Sequence, residues 1–226
     1  MSEEYFDVVD ENNVVIGQEK RRIVHQTGLW HRGSHVFLFT SDRRLVVQRR
    51  SQTKDVFPGA LDCSVSEHLQ VGECYADGAI RGLREELGVK PIPLRRLLQF
   101  KMTYGPNDNM VSELYEAVYD GQSLTIDPDE TEKIDYHTIP EIEEMMVAGQ
   151  AAFAPWFVQL FSWYLGKPAN MEILWHDHET LNGKSGSSGI CSQRDARARP
   201  AFFSFVIPRN EESLGLQKRE IPRSSE

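Results

Sequence analysis

The sequence predicts an α+β fold arranged as an α/β/α sandwich, in which helices flank a mixed β-sheet. Three observations support this prediction. Short runs rich in β-branched and aromatic residues recur along the chain and are separated by turn residues, as is typical of strands. A central stretch has apolar residues at helical spacing, and two later stretches of helical character each begin near a proline.

We expect strands on both sides of the central stretch. Residues 4–16 are predicted to form a hairpin, because the polar residues 10–13 interrupt two apolar runs. A continuous apolar run at 36–39 predicts a buried strand. The further strands that we expect are at residues 45–50, 60–65, 94–103, 111–119 and 134–137. Helices are expected over 141–149, where Pro140 is acceptable in the first turn, and from Pro155 to Leu165.

The central stretch, residues 64–89, is the best-defined part of the chain. We expect it to open with a loop that holds Glu67 and His68 and to turn before entering a helix. Apolar residues then recur at a spacing of three to four, which is the helical period, and they are Ala76, Ala79, Ile80, Leu83 and Leu87. Gly88 is predicted to end the helix, because glycine readily adopts a positive φ.

The polar face of this helix collects carboxylates. Arg81 and Glu85 are four residues apart and are expected to pair, while Glu86 borders the same groove. Such a cluster needs positive charge, either an arginine or a hard divalent cation such as Mg²⁺. A solvated charged face is the alternative interpretation.

The order of residues in the central stretch resembles the Nudix box, the signature of a superfamily of diphosphate hydrolases. The residues on its fixed positions are Glu73, Arg81, Leu83, Glu85, Glu86, Gly88 and Val89. The resemblance implies a Nudix fold over residues 1–180 and a Mg²⁺ or Mn²⁺ cofactor held by carboxylates.

Two positions depart from that signature. Glu67 stands where the box opens with glycine, and Gly82 stands where the box has a glutamate that commonly holds metal. We hypothesise that Glu67 supplies the carboxylate that Gly82 lacks. The alternative is that Glu67 only caps the helix or forms a salt bridge.

Outside the box, residues 25–156 resemble type I isopentenyl-diphosphate isomerases, which share the Nudix fold. His25, His31 and His68 match metal-binding residues of that family, and Glu113 matches a catalytic and metal-binding glutamate. Arg50 and Lys54 match diphosphate-binding positions. Segment 154–156 matches one that carries a cation-stabilising aromatic. Ser66 replaces the catalytic cysteine of that family, Val111 replaces a second carboxylate, and Cys63 is expected to point to the opposite face of its strand. The histidines and Trp156 also have a structural interpretation, as hydrogen-bonding or core residues.

The sequence therefore predicts a metal-dependent hydrolase that cleaves the diphosphate bond of a nucleoside diphosphate derivative or another small organic diphosphate. The predicted catalytic residues are Glu67, Glu86, Glu113 and Arg81, the predicted metal ligands are Glu67, Glu85, Glu86 and His68, and the predicted substrate-binding residues are Arg50, Lys54, Tyr104 and Trp156. Besides Glu67 and Glu113, an acid of segment 129–132 is a candidate base. An isomerase of prenyl diphosphates and an inactive Nudix-fold binding module are the alternatives.

Composition limits the partners. The chain has 226 residues and a net charge of −9, which argues against binding a nucleic acid polymer. No apolar run approaches the ~20 residues that span a bilayer, and the acidic N-terminus lacks a signal region, so we expect a cytoplasmic protein. Residues 181–226 are linker-like and then basic, which predicts a disordered tail. Oligomeric state cannot be read from the sequence, and a homodimer is kept open.

Overall fold

The computed structural model describes residues 3–121 and 123–177, so the predicted tail at 181–226 lies outside the described residues. The strands are β1 Tyr5–Val9, β2 Val15–Lys20, β3 His31–Thr40, β4 Leu45–Arg50, β5 Leu61–Asp62, β6 Val65–His68, β7 Arg95–Gly105, β8 Asp108–Tyr119, β9 Thr131–His137 and β10 Glu172–His176. The helices are α1 Arg21–Thr27, α2 Tyr75–Leu87, α3 Ile139–Ala148 and α4 Pro155–Tyr164. Within these residues, no helix is both long and apolar enough to cross a bilayer.

An eight-stranded mixed sheet forms the centre of the fold. Its order is β10-β7-β8-β3-β4-β5, with β6 also paired to β3 and β9 to β4. β3 and β8 run parallel, whereas the other pairs of named strands in this sheet are antiparallel. β1 and β2 form a separate hairpin, as predicted.

Helices cover both faces of the sheet, which confirms the predicted α/β/α layout. On one face, Ala79, Leu83 and Leu87 of α2 pack on apolar residues of β3, β4 and β8. On the other face, α4 packs Phe157 and Phe161 against β3, β4 and β7. We call these the α2 face and the α4 face of the sheet.

The predicted central helix is confirmed as α2. Gly88 ends it with φ of 67°, and its N–H donates to the carbonyls of Arg84 and Leu83. α3 begins at Ile139 with the predicted proline in its first turn, and it is capped by Thr138, whose side chain accepts a hydrogen bond from the Glu141 N–H. Both ends therefore follow from local chemistry that the sequence displays.

The predicted loop at Glu67 and His68 was wrong, because both residues belong to β6. They pair with β3 in antiparallel register, Glu67 opposite Ser34 and His68 opposite Gly33. Successive residues of a strand point to opposite faces, so Glu67 points to the α2 face and His68 to the α4 face. The predicted strand 60–65 is also divided, into β5 and β6, because the chain changes its partner from β4 to β3.

Two elements were not predicted. The first is α1, a helix that the charged segment forms and in which Val24 is the buried residue. β10 pairs with the edge strand β7 and leaves Ile173 and Trp175 largely exposed, so neither element shows a clear apolar periodicity.

Candidate active site

The carboxylate of Glu86 is the buried centre of the candidate active site. Gln48 donates a hydrogen bond from Nε2 to Glu86 Oε2 at 3.1 Å. Thr131 donates its hydroxyl to Gln48 Oε1 at 2.5 Å, which fixes the amide so that its N–H groups face Glu86. Within the described part of the chain, Glu86 Oε1 is buried and has no hydrogen-bond partner. An unpartnered buried carboxylate oxygen is costly, which makes Glu86 Oε1 a candidate ligand atom.

Glu67 lies close to Glu86 on the α2 face, and their charges oppose each other. Burial is the main cause that raises the pKa of Glu86 well above its ordinary value, and the negative charges of Glu67 and Glu130 raise it further. Burial likewise raises the pKa of Glu67, while Arg81 acts in the opposite direction. The negative charges of two further acids thus act on the buried carboxyl of Glu86, which is an electrostatic setting that a divalent cation would relieve.

Arg81 holds the segment before α2 in place. Its guanidinium makes two hydrogen bonds to Glu73, at 2.9 and 3.1 Å, and one to Glu67 at 3.0 Å. It also donates to the His68 carbonyl at 2.8 Å and to Glu85 at 3.2 Å. Arg81 therefore ties the end of β6 and the turn before α2 to the helix, because its fork is filled by protein acceptors.

Gly82 and Glu67 are sterically complementary. A Cβ atom at residue 82 would lie 2.4 Å from Val65 Cγ1 and 2.6 Å from Glu67 Cγ. Helix α2 can therefore approach β6 because residue 82 has no side chain, and the space is filled by the Glu67 side chain. The two departures from the box are thus complementary in packing.

Gly82→Ala is expected to lower the free energy of unfolding by about 1–3 kcal/mol, because the added methyl overpacks a fixed contact. Urea unfolding followed by circular dichroism measures the change. Gly17→Ala is the control, since a Cβ there meets nothing within 4 Å. In the double variant with Glu67→Gly, one of the two close contacts is gone, so the costs are expected to be less than additive. Additive costs would contradict the packing argument.

Glu85, the other predicted metal ligand of the box, lies apart from Glu86. Its side chain is 47% exposed and pairs with Arg81 and with Arg84. Adjacent helix residues differ by about 100° in direction, which is why the buried acid and the exposed acid separate here.

The predicted diphosphate-binding residues already pair with acids. Arg50 donates to Asp62 at 2.9 Å, and Lys54 forms a salt bridge with Glu130. Asp62 is fully buried and also accepts a hydrogen bond from Trp156 Nε1 at 2.6 Å. Sequence reasoning missed Asp62, although a carboxylate between apolar residues of a strand was a visible signal.

Tyr104 and Ser66 belong to a buried polar chain on the α4 face. His35 Nε2 lies 2.8 Å from the Tyr104 hydroxyl, and His35 Nδ1 lies 3.0 Å from Ser66 Oγ. Tyr104 in turn donates to Ser112 at 3.0 Å. His35 was not singled out from the sequence, because a histidine within an apolar strand has no distinctive pattern.

Glu113 follows Ser112 in β8 and therefore points to the opposite, α2 face. There it accepts hydrogen bonds from Gln99 and Tyr115 and pairs with Arg96 at 2.6 Å. Glu113 is in register with Ser34 of β3, which is in register with Glu67. One strand therefore separates the two glutamates, which places their Cα atoms about 10 Å apart.

The Cys63 thiol does not point away from Ser66, as a continuous strand would require. It is buried on the α4 face, and a hydrogen bond with Ser66 is among the causes that act on its pKa. The expectation was wrong because Cys63 lies in the break between β5 and β6, where strict alternation does not apply. Burial is the main cause that raises the Cys63 pKa well above its ordinary value.

His68 is not grouped with the glutamates. It lies on the α4 face beside His25 and His31, and ring centroids are 5.2 Å apart for His31 and His68. The structure thus separates the predicted metal ligands into a carboxylate group and a histidine group on opposite faces of the sheet.

The chain is similar in sequence to a known family and to its members. Residues 29–157, more than half of the chain, match the NUDIX domain family. The uncharacterized Nudix hydrolase SCO1686 of Streptomyces coelicolor is 34% identical over 155 residues, covering 68% of this chain and 84% of that protein. The uncharacterized Nudix hydrolase YfcD of Escherichia coli K12 is 31% identical over 141 residues, covering 62% and 77%.

A solved structure gives the same result. The crystal structure of DR0079 from Deinococcus radiodurans has 30% sequence identity and a TM-score of 0.57, covering 66% of this chain and 93% of that chain. The matched domain includes the variant box and every carboxylate described above. The chain belongs to the Nudix hydrolase family.

Proposed function

We propose that the protein hydrolyses the diphosphate bond of a nucleoside diphosphate derivative or another small organic diphosphate, with Mg²⁺ or Mn²⁺ as cofactor. The observation that carries the proposal is the buried, unpartnered Oε1 of Glu86 beside a second acid, Glu67. An all-oxygen donor set of this kind fits a hard cation.

Glu86 and Glu67 are the residues that would hold the metal, with Glu85 at the exposed rim. The cation, when bound, neutralises charge on the diphosphate and makes an attacking water more acidic. Gln48 keeps the Glu86 carboxylate oriented, because its own amide is fixed by Thr131. Positioning and electrostatic stabilisation of this kind supply most of the acceleration in phosphoryl transfer.

Arg50 and Lys54 are proposed to bind the outer phosphate. In the structure Arg50 is paired with Asp62 and Lys54 with Glu130, so a diphosphate would compete with these carboxylates for the two basic side chains. Trp156 lies beside the Arg50 guanidinium, with its ring centroid 5.2 Å away, but its ring belongs to the core on the α4 face, so its proposed contact with substrate is supported only through Arg50. Tyr104 lies next to Trp156, at 5.6 Å between ring centroids.

The proton acceptor is proposed to be Glu67 or Glu130. Glu130 is the member of segment 129–132 whose charge raises the pKa values of both Glu67 and Glu86, which supports this role. Glu130→Gln is therefore expected to lower kcat by about 10²-fold or more if it acts as the base. Glu132→Gln is the matched control, because Glu132 is exposed and bonded to Gln52. If Glu130→Gln keeps full kcat, Glu67 is the remaining acid.

The isomerase alternative is less well supported by the geometry. An isomerase needs an acid and a base that face each other across a dry pocket. Ser66 points to the α4 face, whereas Glu113 points to the α2 face and is paired with Arg96. These two residues do not share a pocket.

One assay distinguishes the three functions. Purified protein with Mg²⁺ is incubated with nucleoside diphosphates, nucleoside diphosphate sugars and prenyl diphosphates, and phosphate release is followed beside formation of dimethylallyl diphosphate. Phosphate or phosphorylated product released from at least one class, and lost with the metal, is the expected result. Isomer without phosphate would contradict the proposal in favour of an isomerase. Nucleotide binding with no product would favour an inactive module.

A further inference from the structure

Four side chains from four elements converge on the α4 face, away from the carboxylates. They are His25 of α1, His31 at the start of β3, His68 at the end of β6 and Asp108 at the start of β8. One ligand atom from each lies within 4.8 Å of the ligand atoms of the other three. Asp108 Oδ1 lies 3.6 Å from His25 Nδ1 and 3.7 Å from His31 Nε2. We call these residues the histidine cluster.

The polar atoms of the histidine cluster are buried and unsatisfied. Among the described residues, Nε2 of each of the three histidines and Oδ1 of Asp108 are buried with no hydrogen-bond partner. Buried polar atoms are nearly always paired, so an unpartnered atom on each of four neighbouring side chains points to a ligand. His31 Nδ1 donates to the Leu29 carbonyl at 3.1 Å, which leaves a lone pair on Nε2 of the neutral ring.

The surrounding packing keeps the rings in place. Phe6 stacks on His31 with centroids 5.4 Å apart, and on His68 with centroids 4.9 Å apart. Phe6 therefore holds the His31 and His68 rings side by side, with their centroids 5.2 Å apart.

We propose that the histidine cluster binds one divalent transition-metal ion of the zinc class in a closed, structural site. Imidazole nitrogen with one carboxylate suits zinc, whereas Mg²⁺ prefers six oxygen ligands. Ligand bonds of about 2.0–2.1 Å place tetrahedral ligands about 3.4 Å apart, close to the distances from Asp108 Oδ1 to His25 Nδ1 and His31 Nε2. Four protein ligands leave no open position for substrate, which is the mark of a structural zinc site.

The site joins the N-terminal segment to the family domain. The domain match begins at residue 29, and His25 lies before it, in α1. The metal would therefore fasten the segment 5–27 to β3, β6 and β8 at one point. The resemblance to isomerases marks three histidines of this set, whereas Asp108 and the closed arrangement are seen only in the fold.

The first test measures binding without any activity. Full-length protein treated with a chelator is titrated with Zn²⁺, and separately with Co²⁺, whose visible absorption is intense in a tetrahedral site. One equivalent of each is expected to bind, with the tetrahedral Co²⁺ spectrum. Asp108→Asn and His25→Gln are expected to weaken binding by about 10-fold or more, because the loss of a residue that only hydrogen-bonds to a metal ligand already costs about that much. His137→Gln, on β9 and outside the cluster, is the control and is expected to bind normally.

Glu86→Gln separates this site from the carboxylate group and is expected to keep full zinc affinity. Loss of zinc binding in Glu86→Gln, or unchanged binding in Asp108→Asn and His25→Gln, would overturn the proposal. The structural role has its own readout, hydrogen exchange of the amides of residues 5–27, which is expected to slow when one equivalent of zinc is added. Stoichiometric zinc binding without slower exchange and without a higher unfolding temperature would refute the structural role.

Discussion

Glu86→Gln is expected to lower metal-dependent turnover by about 100-fold or more and, at the same time, to stabilise the metal-free protein. The first effect follows because the substitution removes the buried carboxylate that would hold the cation. The second follows because burial and the negative charges of Glu67 and Glu130 destabilise the ionised form of the Glu86 carboxyl. Strained active-site groups of this kind commonly cost about 0.5–2 kcal/mol, which the neutral amide would recover.

The sign of the pH dependence is fixed by the raised pKa of Glu86. In the folded, metal-free state this carboxyl keeps a proton that the unfolded state releases above a pH of about 4.3. Its contribution to stability is therefore greatest below that pH and is lost as pH rises toward the folded pKa. Metal must displace this proton, so the affinity for Mg²⁺ is expected to increase with pH over the same range.

Urea unfolding of wild-type protein and Glu86→Gln at several pH values, with and without Mg²⁺, measures both effects. Wild-type protein is expected to gain stability from Mg²⁺, and Glu86→Gln to gain little. Glu85→Gln is the control for stability, since Glu85 is 47% exposed and its change should leave the free energy of unfolding nearly unaltered. A Glu86→Gln variant that is less stable than wild type in the absence of metal would mean that Glu86 is not strained.

Arg81→Ala is expected to reduce the free energy of unfolding by about 3–5 kcal/mol, because it leaves buried acids without a partner. Arg81 is 13% exposed, as is Glu73, and Glu67 is 20% exposed, so their interactions are only partly screened by water. Arg81→Lys keeps the charge but cannot reproduce the two-pronged contact with Glu73, and an intermediate loss is expected. The hydrogen bond to the His68 carbonyl is lost as well in the alanine variant.

Arg84→Ala is the matched control on the same helix. Arg84 is 63% exposed and pairs only with the exposed Glu85 among the described residues, so its removal should change stability by less than about 1 kcal/mol. Thermal and urea unfolding of the three variants check the order. Equal losses for Arg81→Ala and Arg84→Ala would show that the Arg81 contacts are solvated and contribute little.

Local patterns were enough to identify the framework. The spacing of Ala79, Leu83 and Leu87 predicts α2, Gly88 predicts its end, and the box positions predict the family that the comparisons confirm. These predictions succeed because helical period and capping depend on residues within a few positions of one another. The strand predictions were right in place but failed where the chain changes partners, as it does after Asp62.

The sequence by itself therefore determined the fold class, the family and the presence of acids at the box helix. Only the tertiary structure decided which acids meet, because sheet register, and not sequence distance, sets the neighbours of each side chain. β6 is the clearest case: pairing with β3 points Glu67 toward Glu86 and the adjacent His68 toward the opposite face. Asp108 shows the same limit, since the turn between β7 and β8 brings it to His25 from a position far along the chain.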